Sequence, residues 1–202
     1  MTARWVAFEG GEGSGKSTQA RLFAERVGAV LSREPGGTAI GERIRAVLLD
    51  PSTVGLSARA ETLLMAADRA QHVDEVVRPA LASGRTVVSD RSAYSSLAYQ
   101  GFGRGLGVDD VRQVSSWASG DVWPDVVVLL DVDDAVRASR MNRAHDRMES
   151  AGADFHARVH AGFRELAAAD PDRGLVVDGA GPVESVEAAV RAAFEAWEAG
   201  GG

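Results

Sequence analysis

The chain carries a single lysine, Lys16; every other member of its 22 lysine and arginine residues is an arginine. Lys16 stands in Gly10-Gly11-Glu12-Gly13-Ser14-Gly15-Lys16-Ser17, a full match to the pattern G-x-x-x-x-G-K-[ST]. In that pattern the glycines let successive backbone N–H groups converge on a phosphate. The helix that follows adds partial positive charge at its N-terminus. The lysine bridges the β- and γ-phosphates, and the following hydroxyl, here Ser17, ligates Mg²⁺. A compact, flexible ammonium follows a phosphoryl group between two oxygens better than a planar guanidinium does. A lone lysine kept at this position, against an arginine background, points to phosphoryl transfer from a nucleoside triphosphate. The expected nucleotide-binding residues are Gly10, Gly11, Glu12, Gly13, Ser14, Gly15, Lys16, Ser17 and Thr18.

Such a loop needs a strand before it and a helix after it. Trp5–Glu9 reads as the first strand, and Lys16–Val27 as the helix that opens from the loop. Further strands are expected at Ala29–Ser32, Thr86–Ser89, Val126–Asp131 and Leu175–Val177. Val126-Val127-Val128-Leu129-Leu130 is apolar without alternation, as in a strand buried on both faces of a parallel sheet. Helices are expected at Ile40–Leu49, Ala58–Ala82, Ala93–Gln100, Val108–Ser119, Ala135–Met141, Asp154–Ala169 and Val183–Glu198. Strand–helix alternation predicts an α/β fold: a three-layer sandwich with a five-stranded parallel sheet and helices on both faces. No composition break marks a second domain, so residues 1–202 read as one domain. The polar, arginine-rich stretch at about 141–152 reads as a mobile lid.

The net charge of -7 argues against a general nucleic-acid binder. The absence of cysteine excludes disulfides and thiolate metal sites. No apolar run approaches the ~20 residues of a membrane span, and no signal-peptide pattern precedes the first strand, so the expected setting is the cytoplasm. His156 and His160 lie four apart without a zinc motif around them.

Three further segments sit at suitable spacing: Arg33-Glu34-Pro35-Gly36-Gly37-Thr38, Asp90-Arg91-Ser92-Ala93-Tyr94-Ser95 with Ala98-Tyr99-Gln100-Gly101, and Asp146-Arg147-Met148-Glu149. With Phe8-Glu9-Gly10 and the helix around Leu63–His72, they resemble the thymidylate kinase family from about Phe8 to about Phe163. The resemblance implies a P-loop kinase fold and transfer of the γ-phosphoryl of ATP to dTMP, giving dTDP and ADP for dTTP synthesis. ATP and Mg²⁺ are the implied cofactors, with Ser17 and Asp90 on the metal side. Arg91 is implied at the acceptor phosphate, with Arg33 near it. Arg69 and Gln100 are implied as readers of the base, and Tyr99 lies beneath the sugar. Glu9 and Ser95 belong to the matched segments and join the implied substrate contacts. Where the family usually has a stacking phenylalanine, this chain has Met65. The phosphate loop holds no arginine, so the family's catalytic arginine is expected in the lid, among Arg140, Arg143 and Arg147. That arrangement usually belongs to bacterial enzymes. The family is commonly a homodimer, and Ala58–Ala82 and Val108–Ser119 could supply an apolar face.

The residues leave two other readings open. A deoxynucleoside acceptor would need a carboxylate base near its 5'-hydroxyl, for which Glu34 is the candidate. A nucleotide-sensing module would keep the loop but would not need Arg33, Arg91 and the lid arginines.

Overall fold

The computed structural model describes residues 2–140 and 146–201. Five short strands form one parallel sheet: β1 (Trp5–Glu9), β2 (Val30–Arg33), β3 (Val87–Asp90), β4 (Val126–Asp131) and β5 (Gly174–Asp178), in the order β2-β3-β1-β4-β5. Register is fixed by pairs such as Val6 opposite Val88 and Val126, and Phe8 opposite Asp90 and Val128.

Alternation along the strands divides the core. Val6, Phe8, Val128 and Leu130 face α1 (Lys16–Val27) and α9 (Val183–Ala199), packing on Phe23, Val190 and Phe194. Ala7, Val127 and Leu129 face the other side, towards α5 (Ala93–Ser96) and α8 (Ala153–Ala169), where Leu97, Phe155, Val159 and Phe163 are buried. The remaining helices are α2 (Ala39–Leu49), α3 (Ala58–His72), α4 (Arg78–Ala82), α6 (Val108–Ser119) and α7 (Asp134–Arg140). The three-layer α/β sandwich expected from the sequence is the observed fold.

Two expected helices carry a change of pitch. The stretch Ala58–Ala82 runs as α3, a π-helical segment Val73–Val77, then α4. Likewise α5 passes into a π-helical segment, Leu97–Gly103. The second segment carries Tyr99 and Gln100, and wide turns of this kind often fall at functional sites. Apolar periodicity does not distinguish a π turn from an α turn.

The strand order places the switch in chain direction beside β1. Loops leaving the carboxyl ends of β1 and β3 diverge there and open a crevice, where ligands of open α/β sheets bind.

Candidate active site

The phosphate loop leaves β1 at Gly10 and closes onto α1. Gly10 and Gly13 have φ of 141° and 77°, backbone that side chains rarely allow. A Cβ at Gly10 would lie 2.7 Å from the Leu130 carbonyl, and one at Gly13 2.7 Å from the Arg137 carbonyl. Lys16, in the first turn of α1, is 6% exposed. Its Nζ lies 3.7 Å from the Glu12 carboxylate. Burial, and then the charge of Arg91, hold its ammonium below the ordinary lysine range; Glu12, Asp90 and Glu9 work the other way. Ser17 is exposed and faces a wide cleft together with Asp90 and Arg33. One Asp90 carboxylate oxygen, Oδ1, is buried without a hydrogen-bond partner.

Arg91 follows β3 with φ 74°, a left-handed conformation uncommon for a residue with a Cβ. Its backbone N–H donates to the Phe8 carbonyl. Its guanidinium donates to the Gly10 carbonyl, Ser95 Oγ, Tyr99 Oη and the Glu12 carboxylate, and lies over the Tyr99 ring at 5.1 Å. Burial disfavours its charge, but Tyr99, Glu12, Glu9 and Asp90 outweigh burial and hold its pKa well above the ordinary value. The Tyr99 phenol is pushed up to about 12, chiefly by burial. Glu12 thus bridges the loop lysine and the strand-end arginine with one carboxylate.

Beyond Arg91 lies a cavity, partly open to solvent, whose wall includes Met65, Arg69, Ser95, Tyr99, Gln100 and Met148. Met65 and Arg69 are one turn apart on α3 and reach the same space, as i,i+4 residues do. Arg69 is 2% exposed. Its Nε donates to Glu34 at 3.0 Å, Nη2 to Ser96 Oγ and the Ser92 carbonyl, and Nη1 to Ser115 Oγ. Nη1 retains a second N–H. His72, fully buried, lies 2.9 Å from Glu34 through Nδ1 and 2.8 Å from Ser32 Oγ through Nε2. Burial pushes the Glu34 carboxyl up, but Arg69 and His72 outweigh it and hold Glu34 below the ordinary carboxylate range. Gln100 Nε2 donates to Glu61 at 2.9 Å, while its carbonyl oxygen is buried without a partner.

Several expected contacts sit elsewhere. Glu9 does not line the cavity. It is fully buried and accepts from the N–H and hydroxyl groups of Ser92 and Ser95, pinning the segment after β3 to β1. Arg33 faces the wide cleft beside Asp90 rather than the cavity, with its guanidinium on Glu42 at 2.7 Å. Arg140 donates to the carbonyls of Gly179, Ala180 and Gly181, tying the end of α7 to the loop after β5. Arg147 donates to the Leu48 carbonyl and pairs with Glu61 at 2.8 Å. Arg143 lies outside the described residues. Among the described residues no cluster of three or more His, Cys, Asp or Glu side chains could hold a metal, so His156 and His160 form no such site.

No local pattern marks Glu61, whose buried carboxylate gathers Gln100, Arg104 and Arg147 from distant segments. Asp68 was missed although it adjoins Arg69. It lines the cavity, accepts from the Gly36 N–H at 2.8 Å, and has its Oδ2 buried without a partner. Its carboxyl is raised to about 7, first by burial and then by the Glu34 charge.

A phosphate loop, a parallel sheet in this order, and an arginine-lined cavity beside the loop define a P-loop nucleoside monophosphate kinase. The family model for thymidylate kinase matches residues 8–190. A thymidylate kinase of Bifidobacterium longum (strain DJO10A) is 48% identical over 198 residues, covering 94% of this chain and 96% of its own. One of Clavibacter michiganensis subsp. michiganensis (strain NCPPB 382) is 46% identical over 209 residues, covering 100% and 99%. The crystal structure of thymidylate kinase from Ehrlichia chaffeensis matches with a TM-score of 0.79 and 31% identity, over 96% of this chain and 99% of that one. The chain belongs to the thymidylate kinase family. Its family reaction is ATP-dependent phosphorylation of dTMP to dTDP.

Proposed function

We propose how this chain's residues divide that reaction. The observation that carries the reading is the Glu12 bridge: Lys16, at the start of α1, and Arg91, at the end of β3, meet on one carboxylate where the loop adjoins the cavity. A pair of cations brought together by an internal anion is suited to hold two phosphate groups in line. Lys16 takes the β- and γ-phosphates of ATP, and the loop N–H groups take the β-phosphate. Arg91 takes the acceptor phosphate of dTMP. That phosphate is already an ionised nucleophile at neutral pH, so positioning and charge neutralisation do the work and no strong base is required.

Mg²⁺ fits beside the loop. Asp90 and Ser17 line the same cleft and carry hard oxygen donors, and one Asp90 oxygen, Oδ1, has no hydrogen-bond partner. The ion would supply charge to neutralise the phosphate oxygens. In the cavity, Gln100 commits Nε2 to Glu61, which leaves its carbonyl oxygen to accept the N3–H of thymine. The remaining Nη1 proton of Arg69 serves a thymine carbonyl, Met65 lies against the base, and Tyr99 lies under the sugar. Arg140 and Arg147 are committed to backbone and to Glu61, so we assign the lid arginine to Arg143.

Glu34 does not suit a base for a deoxynucleoside hydroxyl, because it is doubly hydrogen-bonded and held below the ordinary carboxylate range. A homodimer would cover the hollow between α3 and α6, lined by Leu63, Leu106, Val111 and Val114, with Leu63 61% and Trp117 86% exposed nearby. No described helix is long and apolar enough to cross a membrane.

A coupled ADP-release assay over nucleoside monophosphates and thymidine tests the reading. Turnover should be highest with dTMP and absent with thymidine. Preference for thymidine, or for a purine monophosphate, would overturn it. In Arg143→Ala, kcat should fall with little change in ATP affinity.

A further inference from the structure

A cation is buried behind the phosphate loop. Arg137, in α7, is 8% exposed, and its Nη1 donates to the Glu12 carbonyl at 3.3 Å. Its Nη2 reaches the Asp134 carboxylate and lies 2.9 Å from His160 Nδ1, on α8. Nδ1 also lies 3.0 Å from Asp134 Oδ1. Nδ1 thus lies within reach of a donor-only guanidinium and of an acceptor-only carboxylate, so either tautomer gives it a partner, while Nε2 is buried without one. Burial, and then Arg137 itself, lower the His160 pKa to about 4, so the ring stays neutral and able to accept near pH 7.

The packing is close. A Cβ at Gly11 would lie 2.5 Å from Arg137 Nη1 and 2.5 Å from His160 Nε2, so the two side chains occupy the space that a side chain at position 11 would fill. Gly13, with φ 77°, lies against the Arg137 backbone. Both flanks of Glu12 therefore rest on the same residue.

In a trans peptide the C=O and the following N–H point in opposite directions. Arg137 holds the Glu12 carbonyl from behind the loop, so the Gly13 N–H is turned the other way. That donor fixes the orientation of the Glu12–Gly13 peptide, which a glycine in the pair otherwise makes easy to rotate.

We propose that Arg137, held by Asp134 and His160, is a positioning residue for the nucleotide: it fixes the Glu12–Gly13 peptide so that the Gly13 N–H is presented to a phosphate of ATP. It touches the loop and not the substrate, and its effect falls on the donor and not on dTMP. The inference rests on the reading that this loop binds ATP. The same contact couples α7 and α8, the helices on either side of the lid, to the loop.

The test measures ATP affinity by calorimetry together with steady-state kinetics for both substrates. In Arg137→Ala the ATP Kd and KM should rise about tenfold, the scale of one lost hydrogen bond to a buried group, with the dTMP KM within about twofold. Arg137→Lys should recover part of the loss, because an ammonium can still donate to one carbonyl. Gly11→Ala should reproduce the defect by displacing Arg137. The double variant Gly11→Ala/Arg137→Ala should be no worse than Arg137→Ala. In the ¹⁵N spectrum of the nucleotide-free protein, the Gly13 amide should shift in both single variants. If Arg137→Ala keeps ATP Kd and KM within about twofold, whatever its melting temperature, the proposal is wrong and Arg137 only packs. An equal loss for ATP and dTMP, or a loss confined to kcat, also overturns it. Absence of ATP binding in the parent protein would instead overturn the nucleotide reading.

Discussion

The acceptor cavity and the phosphate loop hold their charges in opposite ways. In the cavity Arg69 is locked by Glu34, Ser92, Ser96 and Ser115, which come from three other segments of the chain. At the loop, the partner of Lys16 is Glu12, four residues away on the same loop, at 3.7 Å and beside an open cleft. Reading a base edge requires donors and acceptors that stay where they are, and multiple buried bonds supply that. Handling a phosphoryl group requires charges that can change partners as the group moves. A loose internal pair can be exchanged for a phosphate at little cost.

The sharpest way to break this contrast is to remove the loop charge. Lys16→Ala should keep its fold, since the residue removed is paired only loosely, while kcat falls by ~10³ or more. Thermal unfolding and single-turnover kinetics separate the two quantities. A large fall in melting temperature, with kcat preserved, would show Lys16 to be as structural as Arg69.

On the cavity side the larger effect should fall on stability. Arg69→Met leaves Glu34 buried with only His72 beside it, and breaking a buried pair in this way costs about 3–5 kcal/mol. Urea unfolding should report that loss. Adding Glu34→Gln should restore a part of it, and dTMP binding should remain poor in both variants. If Arg69→Met unfolds at the same urea concentration as the parent, the guanidinium is held for the base alone.

How much of this could be read from the sequence follows the same division. The loop is local: its glycines, its lysine and the helix that opens from it are contiguous, and their spacing prescribes their geometry. The strands were legible because burial on both faces leaves runs such as Val126–Leu130 without alternation. The cavity is assembled from residues tens of positions apart. Arg69 and Gln100 came from resemblance, whereas Glu61, which holds Gln100, Arg104 and Arg147, had nothing in its neighbourhood to mark it. Glu9 also came from resemblance, and its carboxylate accepts from Ser92 and Ser95, contacts that no local pattern announces. Arg140 and Arg147 lay in a charge-rich run where composition cannot tell a mobile arginine from one bound to backbone carbonyls. Arg137 was invisible for a similar reason, since only the meeting of α7, α8 and the loop gives it a partner.

The two regions should also respond to pH with opposite sign. Asp68, facing Glu34, Arg69 and His72, has its pKa raised to about 7. Between its ordinary 3.8 and about 7 the folded state keeps a proton that the unfolded chain has released, so rising pH weakens the fold. The slope is at most about 1.4 kcal/mol per pH unit. His160, facing Asp134, Arg137 and His156, has its pKa lowered to about 4. Between about 4 and 6.5 the unfolded chain binds a proton that the folded state refuses, so rising pH strengthens the fold. Its slope has the same ceiling, because one proton is again involved. Melting curves at pH 4.5, 5.5 and 6.5 check both. Relative to the parent, Asp68→Asn should gain stability as pH rises, and His160→Gln should lose it. Differences of the same sign for both variants would remove the contrast.

The smallest expected effect concerns the one place where the cavity is not rigid. Every other side chain proposed to face the base is fixed by hydrogen bonds or by a ring, but Met65 has three rotatable bonds and no polar anchor. A thioether against an aromatic ring contributes about 0.3–1.5 kcal/mol, close to what a stacked ring would give, so dTMP binding should be only slightly weaker than with phenylalanine. Orientation is the larger loss. A flexible contact tolerates a base lacking the 5-methyl group, because the side chain can follow the smaller surface. The expected outcome is a dTMP preference with measurable turnover of dUMP. Met65→Phe should lower the dTMP KM or raise the ratio of kcat/KM for dTMP over dUMP, by a few-fold and no more, since one methyl in an apolar pocket rarely discriminates by more than about 10–200-fold in total. Its melting temperature should stay within a few degrees of the parent, because Met65 lines an open space and not a filled core. If Met65→Phe instead melts earlier with its selectivity unchanged, Met65 is packing, and the base is held by Arg69, Gln100 and Tyr99 without a stacking partner from α3.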